Sequence, residues 1–485
     1  MLRDVVCVSC LVVGWTCAFQ HATVADDVAK PLVELESSTL EESGSLPIPR
    51  HPERRTPTPE NTLPKAAQPG RDAMRHYGTP LHRGTDLPIP GKPARNLVGP
   101  GEAAAADSAE MESPGLIRRL PHEYRGITGE YIFTSDVFNN ARGGLATKDA
   151  TRCIGNLDMV LNFDTEAMGL WQGGQFFMYF NSLHGSTLSP NFVGDYQLYD
   201  SLESSPRSDN YTQLTEGWYY HELLDGDLAL KIGKQDAGVN FAFNDLAGDF
   251  INQSFTLIPT VPLPTYPNPG WGLASFAKLT DQWTLSAGIY DAVVVGDSSA
   301  LKHLGTQGSV SLAQLEYKPQ WGLYGQLPAT YRIGGFYHTG DWEEVTTDPD
   351  PRTFAANYGF WVTIDQMLWT EGDAESGQGL GAFFQTGWCP GDRNLVTKNF
   401  CAGLTYRGLI PDRDADVLGA GFTDVIFGQP TFDRDGTTYE NAIEVFYRLR
   451  VTPHIAIQPD MQFICNPGGS GDDAFVIGSR LEMVL

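Results

Sequence analysis

The sequence has few basic residues and, after its first two dozen positions, no long apolar run. Lysine and arginine total 33 against 59 aspartates and glutamates, which gives a formal net charge of −26. This balance argues against nucleic acid or an anionic inner-leaflet surface as a partner. Beyond residue 25, no stretch approaches the roughly 18 consecutive apolar residues of a membrane helix. Any segment that crosses a membrane is therefore expected to be a strand.

The motifs of common catalytic and metal sites are also missing. The chain has no Gly-x-Ser-x-Gly, no His-Glu-x-x-His, no phosphate-binding loop and no Cys and His at zinc spacing. Adjacent acids such as Glu343 and Glu344 would point to opposite faces of a strand, so they could not flank one bond. We therefore predict a protein that is not an enzyme and holds no cofactor or metal, with a hydrolytic barrel as the minor alternative.

The first 115 residues differ in composition from the rest of the chain. Residues 1–25 contain Arg3, an apolar run from Val5 to Phe19 and small residues up to Ala25, which predicts an export signal. Residues 26–115 are rich in proline and poor in aromatic residues. Such a segment cannot bury enough apolar surface to offset the entropy cost of ordering. We predict a disordered linker there, which could contact periplasmic components.

From residue 116 to 485, apolar and polar residues alternate with a period of two. In the final segment, one face carries Phe475, Ile477, Leu481, Met483 and Leu485, and the other carries Gly478, Arg480 and Glu482. Successive side chains of a strand point to opposite faces, so this pattern predicts strands with one apolar and one polar side. A last strand that ends on an apolar position is typical of a barrel in lipid, where every backbone polar group pairs within the wall.

We therefore predict an all-β fold, a transmembrane antiparallel β-barrel formed by residues 116–485. At roughly 45 residues for each pair of strands, this length accommodates about 16 strands. Sixteen strands would leave a water-filled lumen. A soluble all-β lectin or propeller is the alternative, but it would repeat one motif about every 45 residues, and the chain shows no such repeat.

Four cysteines follow the predicted signal. They are Cys153, Cys389, Cys401 and Cys465. Cys389 and Cys401 flank a short loop and could pair across a hairpin in an oxidising compartment, although the connectivity does not follow from the sequence.

Four stretches, in this order, resemble the carbohydrate-selective outer-membrane porins of the OprB type. They are GITGEYIFTSDVFNNARGGL, NLDMVLNFDTEAMGLWQGGQFFMYFNSLHG, LLDGDLALKIGKQDAGVNFAF and the closing IEVFYRLRVTPHIAIQPDMQFICNPGG. The resemblance covers about residues 125–485. It implies a lumen that narrows to a constriction of acidic, basic and aromatic side chains and passes glucose and similar sugars by diffusion.

The chain departs from the family at three points. Glu216 and Trp218 match the family's Glu-x-Trp-x-Glu-Gln segment, but Tyr220 stands in place of the second Glu. Leu485 stands where barrels of this kind usually end in Phe, and the family's N-terminal helix motif is barely visible.

Alternation places a set of charged and aromatic side chains on the lumen face. A sugar presents hydroxyl groups around its ring and C–H bonds on its faces, so charged groups beside aromatic rings would suit it. A mixture of signs also suits a neutral solute better than an anion. The candidates are Glu216, Trp218, Tyr220, Lys231, Arg332, Glu444, Arg448, Arg450, Asp460, Arg480 and Glu482. The alternative role for each is to pair with a neighbour across the wall.

We predict an exported outer-membrane porin, surrounded by lipid, for passive and carbohydrate-selective diffusion of small sugars. The alternatives are a structural or tethering barrel with a blocked lumen and a general diffusion pore. The sequence leaves open which sugar passes, whether several copies assemble and whether loops enter the lumen.

Overall fold

The computed structural model describes residues 123–204, 210–292, 305, 308–321, 327–371 and 377–485. In this part of the chain, sixteen strands form one antiparallel sheet that closes on itself. The last strand pairs with the first, from Ile132 opposite Val484 to Arg142 opposite Phe475. The predicted signal, residues 1–25, and the predicted linker, residues 26–115, lie outside the described residues, as does the rest of the chain before residue 123.

The barrel strands follow one another around the wall in chain order. They are β1 Ile127–Arg142, β2 Thr151–Asp164, β3 Gly174–Gly185, β4 Tyr211–Leu223, β5 Leu228–Gln235, β6 Gly270–Lys278, β7 Trp283–Asp291, β8 Ser309–Tyr317, β9 Leu327–His338, β10 Asn357–Thr370, β11 Gly379–Trp388, β12 Val396–Arg407, β13 Val417–Phe427, β14 Tyr439–Thr452, β15 Ile455–Cys465 and β16 Ala474–Val484. The prediction of about 16 antiparallel strands is confirmed.

Short strands and helical turns lie outside the sixteen barrel strands. Two-residue strand pieces lie at Glu123–Tyr124, Gln320–Trp321, Trp342–Glu343 and Thr353–Phe354. Single helical turns lie at Ser189–Val193, Ser201–Ser204, Leu224–Gly226, Gln253–Phe255 and Pro467–Gly469, and one α-helix spans Gln429–Asp435. None of the helices in the described ranges combines the length and hydropathy needed to cross a membrane.

The outer surface of the wall is apolar and is bounded by aromatic side chains. On β10, Phe360 lies near one end of the strand and Trp369 near the other, each 48% exposed. Nine positions separate them, and at about 3.3 Å per residue with a strand tilt of about 40° they span roughly 23 Å of height. This height is close to that of the apolar band of a membrane barrel. Between the two belts, exposed aliphatic residues face outward, among them Ile333, Leu404, Ile443, Met461 and Ile477.

The connections between strands differ in length at the two ends of the barrel. At one end, here called the turn end, β14 joins β15 through residues 453–454 and β4 joins β5 through residues 224–227. At the other end, the loop end, β3 joins β4 through residues 186–210 (inner loop 1), and β5 joins β6 through residues 236–269 (inner loop 2). Both inner loops contain long buried runs, residues 195–202 in the first and 250–261 in the second.

Candidate functional site

Inner loop 2 begins at β5 and reaches the opposite wall of the barrel, where carboxylates hold its backbone. Glu444 on β14 accepts hydrogen bonds from the backbone N–H groups of Ile251 and Asn252, at 2.6 and 2.9 Å. Asp365 on β10 accepts from the N–H groups of residues 245–246, at 3.0 and 2.9 Å. These hydrogen bonds satisfy backbone N–H groups that have lost their water. The loop is therefore fastened inside the lumen.

Inner loop 1 is fastened in the same way on the neighbouring part of the wall. Glu440 on β14 accepts from the N–H groups of Tyr196 and Gln197, at 2.6 and 2.8 Å. The two inner loops also bond to each other, because the N–H of Ser201 donates to the carbonyl of Ile251 at 2.9 Å. The two loops are therefore joined to each other within the barrel.

Aromatic packing fixes the height at which inner loop 2 meets the wall. Phe250 and Phe255 stack with ring centroids 4.3 Å apart. Phe250 also packs edge-on against Phe383 of β11 and Phe446 of β14, at 5.3 and 5.0 Å. Gly421 on β13 makes this possible, because a Cβ there would collide with both loop rings. Polar anchors and apolar packing thus act on the same segment.

Arg332 on β9 joins inner loop 2 to two strands. Its guanidinium contacts Glu316 on β8 and Asp245 in the loop, each at 2.7 Å, and Asp365 on β10 at 3.1 Å. The guanidinium carbon also lies 4.1 Å from the ring centroid of Phe243. The Arg332 side chain is only 2% exposed. Its donors are therefore occupied within the protein, and this candidate has a structural role.

The candidates on β4 and β5 form one buried group at the root of inner loop 2. Glu216 accepts from the Trp218 indole and from the Asp236 N–H, both at 3.0 Å. The Lys231 ammonium lies 4.2 Å from the centre of a Trp218 ring, a cation–π arrangement. Trp218 also stacks on Phe177, at 4.5 Å. In the part of the chain that the structure describes, Lys231 Nζ has no hydrogen-bond partner.

A second set of candidates remains partly exposed toward the turn end of β14 and β16. We call Arg448, Arg480, Glu482 and Asp249 of inner loop 2 the lumen charge group. Arg448 lies 2.7 Å from Glu482 and 3.9 Å from Asp249. The exposed fractions of these side chains are 13% for Arg448, 12% for Arg480, 19% for Glu482 and 30% for Asp249. The lumen charge group therefore contains both positive and negative side chains that are partly exposed to the lumen.

The structure therefore divides the sequence-predicted candidates by burial. Those that are buried are Glu216, Trp218, Tyr220, Lys231, Arg332, Glu444 and Asp460. Arg448, Arg450, Arg480 and Glu482 are half-buried. Arg450 lies apart from the other three beside the β14–β15 turn, where its Nη2 donates to the carbonyl of Pro453 at 2.9 Å.

The possible disulfide between Cys389 and Cys401 is not formed in this structure, in which all four cysteines of the described residues are free. Cys401 lies opposite Gln385 in the β11–β12 ladder, four positions before Cys389. Four positions correspond to about 13 Å along a strand, which is beyond the Cα separation of a disulfide. The Cys389 thiol instead donates to the Val396 carbonyl at 3.2 Å.

The inner loops and their anchors Glu440 and Asp365 do not follow from the alternation of apolar and polar residues. A signal was present, because the chain from Phe250 to Ala277 carries no charged residue and includes several aromatic residues. A segment of that composition is poorly suited to an exposed loop, and long loops in compact folds are often functional. Such a composition is compatible with a loop that lies inside the lumen.

Burial shifts the ionisation of acids in the inner loops. Burial, with a further contribution from Glu216, raises the pKa of Asp236 to about 6. Burial and the neighbouring Asp136 raise the pKa of Asp200 well above its usual range, and Arg480 acts in the opposite direction. Among the described residues, no group of three or more His, Cys, Asp or Glu side chains is arranged to hold a metal ion.

Comparison with known proteins gives consistent matches across most of the chain. The family described as "Carbohydrate-selective porin, OprB family" matches residues 148–485. Porin B of Pseudomonas aeruginosa is 23% identical over 440 residues, covering 81% of this chain and 96% of the relative. The putative porin QuiX of Acinetobacter baylyi is 23% identical over 396 residues, covering 73% of this chain and 89% of the relative. The high-pH structure of Pseudomonas putida OprB matches with a TM-score of 0.66 at 20% identity, covering 74% of this chain and 94% of that one.

Proposed function

The chain belongs to the OprB family of carbohydrate-selective porins, and from that premise we propose that sugars cross the outer membrane past its lumen charge group. Membership in a porin family indicates a channel rather than an enzyme. The outer membrane is its location, and lipid surrounds its apolar wall. The proposal concerns which side chains the solute meets on its way through the barrel.

The observation that carries the proposal is the difference in exposure among the candidates. A side chain can bind a passing solute only if water and solute reach it. Arg332 and Glu444 are buried, and their polar atoms are paired with other groups of the protein. Arg448, Arg480, Glu482 and Asp249 combine partial exposure with charge. They lie where inner loop 2 approaches β14 and β16.

The charges around this group favour a neutral polar solute. Arg448 and Arg480 are accompanied by Glu482, Asp249, Asp136 and Asp200. Two cations among four carboxylic acids do not make the basic ring that an anion would require. Hydroxyl groups of a sugar can donate to the partly exposed carboxylates of Glu482 and Asp249 and accept from the guanidinium groups. We therefore propose neutral sugars of the size of glucose as the preferred solutes.

Single-channel recording of the full chain in a planar bilayer tests this proposal. We expect a stable ionic current that decreases as glucose is added and changes little when phosphate is added. A folded barrel without current would support a blocked lumen, and a current indifferent to sugar would support a general diffusion pore. Either result would contradict the proposal.

A further inference from the structure

An aromatic groove with a lysine lies on the outer surface of the barrel wall. Its lining residues are Phe360 on β10, Thr386, Gly387 and Trp388 on β11, and Lys398 and Phe400 on β12. The groove has a volume of about 490 Å³, which lies within the usual size range of a small-molecule site. Phe360 is 48% exposed and Phe400 is 42% exposed. The groove therefore faces the membrane and not the lumen.

Strand register brings the lysine and the aromatic rings together. Phe360 lies opposite Trp388, and Trp388 lies opposite Lys398. In the next row of the ladder, Thr386 lies opposite Phe400. Opposite residues in such pairs have Cβ atoms roughly 5 Å apart. The Phe360 and Trp388 rings stack with centroids 5.9 Å apart, so the apolar wall is ordered beside the ammonium.

The position of the groove along the barrel axis places it in one leaflet of the membrane. Trp388 is the last residue of β11, and Lys398 is near the start of β12, so both lie at the loop end of the barrel. Outer-membrane barrels have short periplasmic turns and longer extracellular loops. The loop end therefore faces the cell exterior, and the groove lies at the level of the outer-leaflet head groups.

Lys398 is exposed, and the structure gives it no ion pair within the described ranges. Asp424 on β13 also faces outward, because it lies opposite Phe400. Asp424 is one strand farther from the Trp388 ring than Lys398 is. A lysine at a membrane interface extends its ammonium toward the head groups while its methylene stem contacts apolar surface. Its charge is complementary to a lipid phosphate.

We propose that this groove binds a phosphate-bearing, multiply acylated glycolipid of the outer leaflet. One acyl chain lies along Phe360 and Phe400, and one phosphate contacts the Lys398 ammonium. The carboxylate of Asp424 would repel a second phosphate placed near β13, so the contact involves a single phosphate. This site is distinct from the solute path, because it lies on the opposite face of the wall.

Native mass spectrometry of the full chain in detergent micelles tests the proposal. The probes are lipid A with its phosphates, the same lipid A after removal of its phosphates, and phosphatidylglycerol. Lys398→Gln removes the charge, and Phe400→Ala removes one apolar wall. Lys278→Gln is the matched control, because Lys278 is 49% exposed at the turn end of the barrel. Each variant is first shown to be folded by its sugar-sensitive or ionic current.

We expect Lys398→Gln to weaken binding of phosphorylated lipid A about fivefold, since one basic residue near lipid phosphate contributes roughly 1 kcal/mol. Phe400→Ala should weaken binding of all acylated probes, and Lys278→Gln should change none. Equal binding of phosphorylated and phosphate-free lipid A would overturn the proposal. Tighter, Lys398-dependent binding of phosphatidylglycerol would also overturn it, because the occupant would then be a phospholipid.

Discussion

Arg480 on the last strand forms a two-pronged ion pair with Asp136 on the first strand, with Nη2 2.6 Å from Oδ2 and Nε 2.9 Å from Oδ1. The two residues face each other across the seam that closes the barrel. Arg480 Nη2 also lies 3.5 Å from Asp200 of inner loop 1. One guanidinium therefore links barrel closure to the position of the loop.

Arg480→Met should destabilise the barrel strongly. It would leave Asp136 and Asp200 close together with side chains at most 1% exposed and without their cation. Removing one partner of a buried ion pair typically costs about 3–5 kcal/mol. Urea unfolding in lipid vesicles measures the change. The control is Arg352→Gln, whose arginine is 71% exposed, so that water and salt screen its ion pair and its removal should change the unfolding free energy little. Equal effects of the two substitutions would contradict the assignment.

Glu444→Gln should loosen inner loop 2 without removing the barrel. Ile251 and Asn252 donate to different oxygens of the carboxylate. Glutamine replaces one of these oxygens with an NH2 group, which is a donor and cannot accept from the backbone N–H that faces it. We expect larger fluctuations of the open-channel current. Glu343→Gln, at an exposed carboxylate of another loop, is the control and should leave the current trace unchanged. A Glu444→Gln trace as quiet as that of the unmodified protein would contradict the role of the Glu444 carboxylate in holding the loop.

Asp236 should contribute a pH dependence of stability. Its pKa is raised from an ordinary value of 3.8 to about 6, so the folded barrel keeps the proton over a range in which the unfolded chain has lost it. The contribution of Asp236 to stability is therefore largest below about pH 4, falls as the pH rises to about 6 and is constant above that. Two pKa units correspond to about 3 kcal/mol.

Asp236→Asn tests this dependence. The variant should show a smaller difference in unfolding free energy between pH 4 and pH 7 than the unmodified protein. Other buried acids, such as Asp195, whose pKa burial also raises, remain in both proteins and cancel in the comparison. An unchanged pH difference would mean that Asp236 ionises normally in the folded barrel.

The thiols of Cys389 and Cys401 should be free and unreactive in the folded protein. Both are 1% exposed, and burial raises the pKa of the Cys389 thiol to about 12. Only the thiolate reacts readily with alkylating reagents. Peptide mapping after maleimide treatment should find both cysteines unmodified in the folded barrel and modified after unfolding in denaturant without reductant. Modification that requires a reductant would reveal a disulfide.

The two-residue period of the sequence was sufficient to locate the wall and its polarity. Exposed Ile443, Met461 and Ile477 face outward, and Glu444, Asp460 and Arg480 face inward, as the alternation predicts. The reason is that a strand in a membrane wall has only two faces, of which one contacts lipid and the other faces the barrel interior.

The same reasoning could not separate solute-facing side chains from structural ones. Whether Arg332 meets water depends on Asp245, which comes from a loop far along the chain. The position of that loop depends on non-local contacts, such as Phe250 against Phe446 and the space left by Gly421. Alternation carries no information on these contacts, so it placed buried and half-buried candidates in one set.

Glucose block of single-channel current tests most directly whether the partly exposed lumen charge group contacts the sugar. Arg448→Gln and Glu482→Gln should each weaken the block about fivefold, since one hydrogen bond to a charged group at a partly solvated site is worth about 1 kcal/mol. The double variant, which removes both partners of the ion pair, should weaken the block at least as much, and Arg352→Gln should leave it unchanged. A block of normal strength in all three lumen variants, or a double variant that restores it, would contradict the account.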